Sequence, residues 1–90
     1  MSAKTIIIDT REPFEYAASH VPDAVNISPT QFMSGEFAEK LTDVAKDDPI
    51  ILYCRSGSRS NVCMHILRDA GYTNLTNGVN EGQVRKLLEK

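Results

Sequence analysis

Short apolar runs alternate along this chain with segments whose apolar residues recur at helical spacing. Thr5 to Ile8 is a β-branched run that ends at Asp9, the pattern of a short buried strand. Pro13 to Ser19 predicts a short helix, with Pro13 in the first turn, where a missing N–H leaves no intrahelical bond unmade. Ala24 to Ile27 predicts a second short strand. From Ser34 to Ala45, Phe37, Leu41 and Val44 recur at helical spacing while Glu36, Glu39, Lys40 and Asp43 fall on the other side, which predicts one amphipathic helix with a solvated acidic face. Pro49-Ile-Ile-Leu-Tyr53 is the clearest strand, and proline is tolerated at its first residue because that N–H need not join the ladder.

A polar turn follows, Cys54-Arg55-Ser56-Gly57-Ser58-Arg59-Ser60. It opens a helix predicted from Arg59 to Ala70, with Val62, Cys63, Ile66, Leu67 and Ala70 along one face and Gly71 as a C-terminal stop. Asn74 to Thr76 predicts a last strand, and Val84, Leu87 and Leu88 a short C-terminal helix. Strands separated by helices need crossover connections, so the expectation is an α/β domain whose parallel sheet is covered on both faces. Ligands of such sheets bind outside the C-terminal ends of the strands. Asp9 and Cys54 both stand at such ends, so they are expected on one edge of the sheet although distant in sequence.

Length and composition narrow the function classes. Ninety residues suffice for a single domain with one modest core and a shallow site. A net charge of −2 argues against general nucleic-acid binding. No apolar run approaches the roughly 18 residues of a membrane span. No secretory leader is visible before Thr5, so a cytoplasmic location with no membrane partner is expected. The two cysteines, Cys54 and Cys63, make no disulfide framework, and neither has a histidine at metal-ligand spacing, so no metal site is expected.

The turn after Tyr53 carries the chemistry. Cys54 directly follows a buried strand, so its position is rigid. Gly57 and the three serines permit a tight turn whose N–H groups converge, and such a nest binds anions. The following helix contributes its positive end, Arg55 and Arg59 add charge, and no acid occurs between Pro49 and Arg68. All of this favours a thiolate, the reactive nucleophile. The bland alternative, a small buried cysteine at an ordinary strand end, fits poorly with so polar a loop. Cys63, on the apolar helix face, is expected in the core rather than as a resolving thiol. Asp9 is expected to cap its own turn with Arg11 or Glu12, with a hold on Arg59 or the loop as the other reading. His65 is expected on a solvated or packed helix surface.

Two segments resemble the single-domain rhodaneses, the thiosulfate sulfurtransferases. The first is Ile8-Asp9-Thr10-Arg11-Glu12, followed by Glu15-Tyr16, His20-Val21-Pro22 and Ala24-Val25-Asn26-Ile27. The second is the run from Tyr53 to Ser60, with Leu67, Gly71 and Tyr72 downstream. The family often carries Gly-Gly and then tryptophan after the last strand; here Asn77-Gly78-Val79 keeps one glycine, and the chain has no tryptophan.

The resemblance implies a five-stranded parallel sheet flanked by helices, and transfer of a sulfane sulfur through a cysteine persulfide without an organic cofactor. In that reading Cys54 is the nucleophile, Arg55, Ser56, Gly57, Ser58, Arg59 and Ser60 bind the donor, and His20 sits in a structural turn rather than in a Cys–His couple. Arg55 is expected in solvent, meeting the anion, and Arg59 tied to Asp9 or to loop carbonyls. The implied partners are a small anionic sulfur donor such as thiosulfate and a thiol, cyanide or protein acceptor, with the domain a monomer or weak dimer. A cysteine phosphatase or arsenate reductase is the second reading, although those loops resemble Cys-x5-Arg, whereas Arg59 comes one position sooner. A non-catalytic rhodanese-like binding module is the third.

Overall fold

The computed structural model describes residues 5–89. The elements in chain order are β1 (Ile6–Asp9), α1 (Pro13–Ala18), β2 (Val25–Asn26), α2 (Pro29–Ser34), α3 (Phe37–Lys40), β3 (Ile50–Cys54), α4 (Ser58–Asp69), β4 (Leu75–Asn80) and α5 (Glu81–Leu88). The strands form one sheet in the order β2-β1-β3-β4, and every neighbouring pair is parallel. The α/β class with helices on both faces is therefore as expected. Among the described residues the sheet has four strands rather than five.

Alternation along the strands divides the core in two. Ile8, Ile50 and Leu52 face one way and pack with Phe32, Leu41, Cys63, Leu67 and Tyr72 from α2 to α4 and the segments beside them. Ile7 and Tyr53 face the other way and pack with Val21, Ala24 and Val84. Burying β1 and β3 on both faces is why they read as unbroken apolar runs instead of alternating ones. Gly78 lets α5 lie close to β4: a β-carbon there would overlap Val84 Cγ2 and stand 2.9 Å from Ile51 Cγ2.

Two elements depart from the expected pattern. The helix predicted from Ser34 to Ala45 is found only as the four-residue α3, and a separate short helix that was not predicted, α2, precedes it. Ser28 caps α2 with its hydroxyl on the N–H of Gln31, and the Gln31 side chain caps back, with Pro29 as the first helical residue. Gly35 then ends α2 in a left-handed conformation at φ 89°. Phe37, Leu41 and Val44 still reach the core from beyond this break. The last strand runs on to Asn80 because β3 pairs with it across an irregularity opposite Leu52 and Tyr53. Among the described residues no helix is long and apolar enough to cross a membrane.

Candidate functional site

The site is built at the C-terminal end of β3, flanked in the sheet by β1 and β4. Cys54 is the last residue of β3 and only 2% exposed. The chain then turns through Arg55, Ser56 and Gly57 and enters α4 at Ser58, so the helix N-terminus lies beside the sulfur. Gly57 sits at φ 94°, and a β-carbon there would stand 3.3 Å from Val79 Cγ1. Both facts demand glycine. In this conformation the Gly57 N–H donates to Cys54 Sγ at 3.0 Å, while Ser60 Oγ lies 3.6 Å from the same sulfur.

Burial of the sulfur opposes ionisation, but the N–H and hydroxyl of Ser60 and the N–H groups of Ser56 and Gly57 outweigh it and bring Cys54 down to about 7. These hydrogen bonds, not the arginine charges expected to share the task, are the dominant stabilising influences. The two arginines have different surroundings. The Arg55 side chain is exposed and makes no ion pair or hydrogen bond among the described residues. Arg59 is turned away from the expected Asp9 and pairs with Glu15 of α1 at 3.2 Å. Ser56 and Ser58 lie exposed with their hydroxyls 3.3 Å apart, whereas Ser60 is fully buried.

Asp9 is unavailable to Arg59 because its own turn uses it. Asp9 is fully buried and accepts from the Arg11 N–H at 2.9 Å, from the Arg11 guanidinium at 2.8 Å and from the Tyr53 hydroxyl at 2.9 Å. Tyr53 in turn accepts from the Val21 N–H at 3.1 Å, which ties the segment after α1 to β3. Asp9 does stand on the same sheet edge as Cys54, as a structural anchor.

The remaining candidates sit where they were expected. His20 stacks on Tyr16 with ring centroids 3.7 Å apart, and its Nδ1 lies 2.7 Å from the Tyr16 carbonyl oxygen. His65 is exposed on α4. Cys63 is buried in the core, and both cysteines are free thiols. Among the described residues no cluster of histidine, cysteine, aspartate or glutamate has the makings of a metal site.

A residue absent from the sequence reading of the site proves to touch its loop. Asn77 of β4 receives the Ser60 hydroxyl at 2.8 Å and donates to the Gly57 carbonyl at 3.0 Å. Glu15 is likewise a partner that only the fold reveals. Neither carries a local signal, because each meets the loop across the sheet edge from a distant segment.

The surroundings of the loop are shallow. A cleft of about 270 Å³ beside it is lined by Pro29, Met33, Ser58, Arg59 and Val62, mostly apolar. A larger concavity of about 540 Å³ lies near Thr5 and Ile7, toward the other end of β1 from Asp9, and its lining holds no nucleophile. The candidate site is therefore set by the Cys54 loop, which the smaller cleft adjoins through Ser58 and Arg59.

Known proteins agree with this geometry. A family model described as rhodanese-like domain matches residues 1–83. The adenylyltransferase and sulfurtransferase UBA4 of Saccharomyces cerevisiae is 38% identical over 79 residues, 81% of this chain but 18% of its own length. The thiosulfate:glutathione sulfurtransferase of the same yeast is 32% identical over 78 residues, covering 77% of this chain and 55% of its own. Among solved structures, a rhodanese with anions from E. coli is 29% identical with a TM-score of 0.77, covering 89% of this chain and 91% of its own. A human single-domain sulfurtransferase, TSTD1, is 26% identical with a TM-score of 0.70, covering 96% of this chain and 82% of its own. The match to the family model across both sequence segments makes this chain a member of the rhodanese-like domain family.

Proposed function

We propose that the chain is a sulfurtransferase that carries a sulfane sulfur on Cys54. The observation that supports it most is the sulfur itself: at the end of a buried strand, 3.0 Å from the Gly57 N–H, and held near 7 by converging donors. A thiol at about 7 is ionised in a large fraction of molecules at neutral pH, and a thiolate is what attacks sulfur. The named activities of relatives that include thiosulfate sulfurtransfer support the same reading.

The proposed reaction has two displacements. The Cys54 thiolate attacks the outer sulfur of thiosulfate, the sulfur–sulfur bond of the donor breaks, and sulfite departs with its electron pair. The terminal sulfur of the resulting persulfide is then attacked by cyanide, a thiolate or a protein acceptor, and Cys54 leaves as thiolate. The N–H groups from Ser56 to Ser60 steady the charge on sulfur in both steps. Arg55, exposed on the loop next to Cys54, draws in the anionic donor. Arg59 holds the α4 terminus against α1 through Glu15. Phosphate chemistry finds no support in this loop: the arginine that would clasp a phosphate in the second reading is engaged by a carboxylate.

Mass spectrometry of the protein after incubation with thiosulfate tests this. Cys54 is expected to gain one sulfur atom, about 32 Da, that a thiol reductant removes. Absence of the added mass, or its appearance on Cys63, would overturn the proposal.

A further inference from the structure

Ser60 is a buried hydroxyl with one proton and three acceptors around it: Asn77 Oδ1 at 2.8 Å, the Gly57 carbonyl at 3.2 Å and Cys54 Sγ at 3.6 Å. Its nearest partner, Asn77, is held in one orientation. Asn77 Oδ1 also accepts the Val79 N–H at 3.0 Å, and Asn77 Nδ2 donates to the Gly57 carbonyl at 3.0 Å. Turning the amide over would set N–H against N–H and oxygen against oxygen, so the network itself assigns the amide.

The backbone is bent to present this side chain. The β3–β4 register shifts opposite Leu52 and Tyr53, and Val79 adopts φ 75°. A β-branched residue in the left-handed region costs energy that the surroundings must offset, and such outliers gather at functional sites. The Asn77–Val79 hydrogen bond spans this bend, and Val79 Cγ1 lies against Gly57.

From this arrangement we infer that Asn77 is a positioning residue that hands the Ser60 proton to the sulfur when Cys54 becomes negative. With Cys54 as a thiol, the S–H donates to Ser60 Oγ and the Ser60 proton rests on Asn77 Oδ1. When the sulfur ionises to the thiolate, the Ser60 hydroxyl turns from Asn77 to the sulfur. Asn77 Oδ1 keeps the Val79 N–H, so the exchange leaves no buried acceptor unpaired. No atom is gained or lost; one hydrogen bond changes acceptor. Through its amide nitrogen Asn77 also holds the Gly57 peptide, the other donor to the sulfur. The inference rests on Cys54 as the reacting thiol and says nothing of which sulfur donor it uses.

The test is the pH dependence of Cys54 alkylation by iodoacetamide, followed by peptide mapping, in a cycle of Ser60→Ala, Asn77→Asp and the double variant. Ser60→Ala is expected to raise the alkylation midpoint, by about half a unit or more, since a donor to the thiolate is lost. Asn77→Asp is expected to raise it by about one unit, because a carboxylate retains the Ser60 proton. In the Ser60→Ala background that second shift should fall below half its value. Equal shifts in both backgrounds would mean that the aspartate acts by charge alone, and the relay is wrong. An unmoved midpoint in Ser60→Ala overturns it as well. Should Asn77→Asp melt below the assay temperature, Asn77→Ala replaces it in the same cycle, with non-additivity against Ser60→Ala expected and additivity overturning the inference. The readout needs no sulfur donor, so failure of the sulfurtransferase reading leaves it standing or falling by itself.

Discussion

Cys54 and Cys63 are both buried, both free, and nine positions apart, yet their thiols behave oppositely. Burial pushes Cys63 up to about 12, helped by its neighbour Cys54 and only partly countered by Arg59. The same burial acts on Cys54 but is overcome by donors from Ser60, Ser56 and Gly57, which bring it to about 7. About one and a half turns into α4, the helix N–H groups are already spent on the helix ladder, so Cys63 finds no donor. At the start of α4 the N–H groups are still free. Position relative to one helix terminus thus separates a packing cysteine from the candidate nucleophile. Burial alone makes a thiol inert, and reactivity comes from unspent backbone donors.

The largest break in this contrast comes from removing the sulfur. Cys54→Ser is expected to abolish sulfur transfer and the mass gain, while Cys63→Ser leaves both in place with some loss of thermal stability. Transfer that survives in Cys54→Ser would show that the two thiols had been assigned the wrong way round.

Next in size is Gly57→Ala. The substitution meets a left-handed backbone and the Val79 side chain together, so it displaces the N–H that faces the sulfur. Sulfur transfer should fall by about a hundredfold, the scale of losing one preorganised donor. Adding Val79→Gly should recover the steric part of the defect and leave the part due to φ. Full activity in Gly57→Ala would remove that N–H from the account.

The contrast also has a signature in stability against pH. Cys54 ionises more readily folded than unfolded, so its contribution is complete above the ordinary value near 9 and is lost as pH falls through about 7. Cys63 ionises less readily folded than unfolded, so its contribution is present below 9 and is lost as pH rises from 9 toward 12. Denaturant melts should therefore show Cys54→Ser diverging from the parent between pH 7 and 9, and Cys63→Ser above pH 9. Coincident profiles for the two variants would dissolve the distinction.

The smallest effects belong to the arginines. Arg55→Ala should leave the Cys54 alkylation midpoint in place and raise KM for thiosulfate, by about two- to fivefold at low salt and less at high salt, where the exposed charge is screened. Arg59→Ala should lower Tm slightly, in keeping with the ~0.2–1 kcal/mol of a partly exposed pair, and Glu15→Gln should match it. A midpoint that moves by a full unit in Arg55→Ala would restore the arginines as the source of the thiolate.

Much of this was legible along the chain. The apolar runs at Ile6 to Ile8 and Ile50 to Tyr53 are strands buried on both faces, and a cysteine at a strand end before a polar glycine turn announces a nest at a helix start. The break at Gly35 was also written locally, in Ser28, Pro29 and Gln31, but the helical spacing of Phe37, Leu41 and Val44 concealed it. What lies beyond the chain's local order is which distant groups meet the loop. Arg59 goes to Glu15 because Arg11 and Tyr53 have already satisfied Asp9, and saturation of a buried carboxylate is a fact of packing. Asn77 reaches Ser60 and Gly57 only because β4 pairs beside β3 and bends at Val79. By itself the sequence determined the strands, the turn and the candidate nucleophile, since these depend on neighbours a few residues apart. Only the tertiary structure decided which donors and carboxylates surround that nucleophile, because hydrogen bonds across a sheet are chosen by register and by competition among all the groups brought together there.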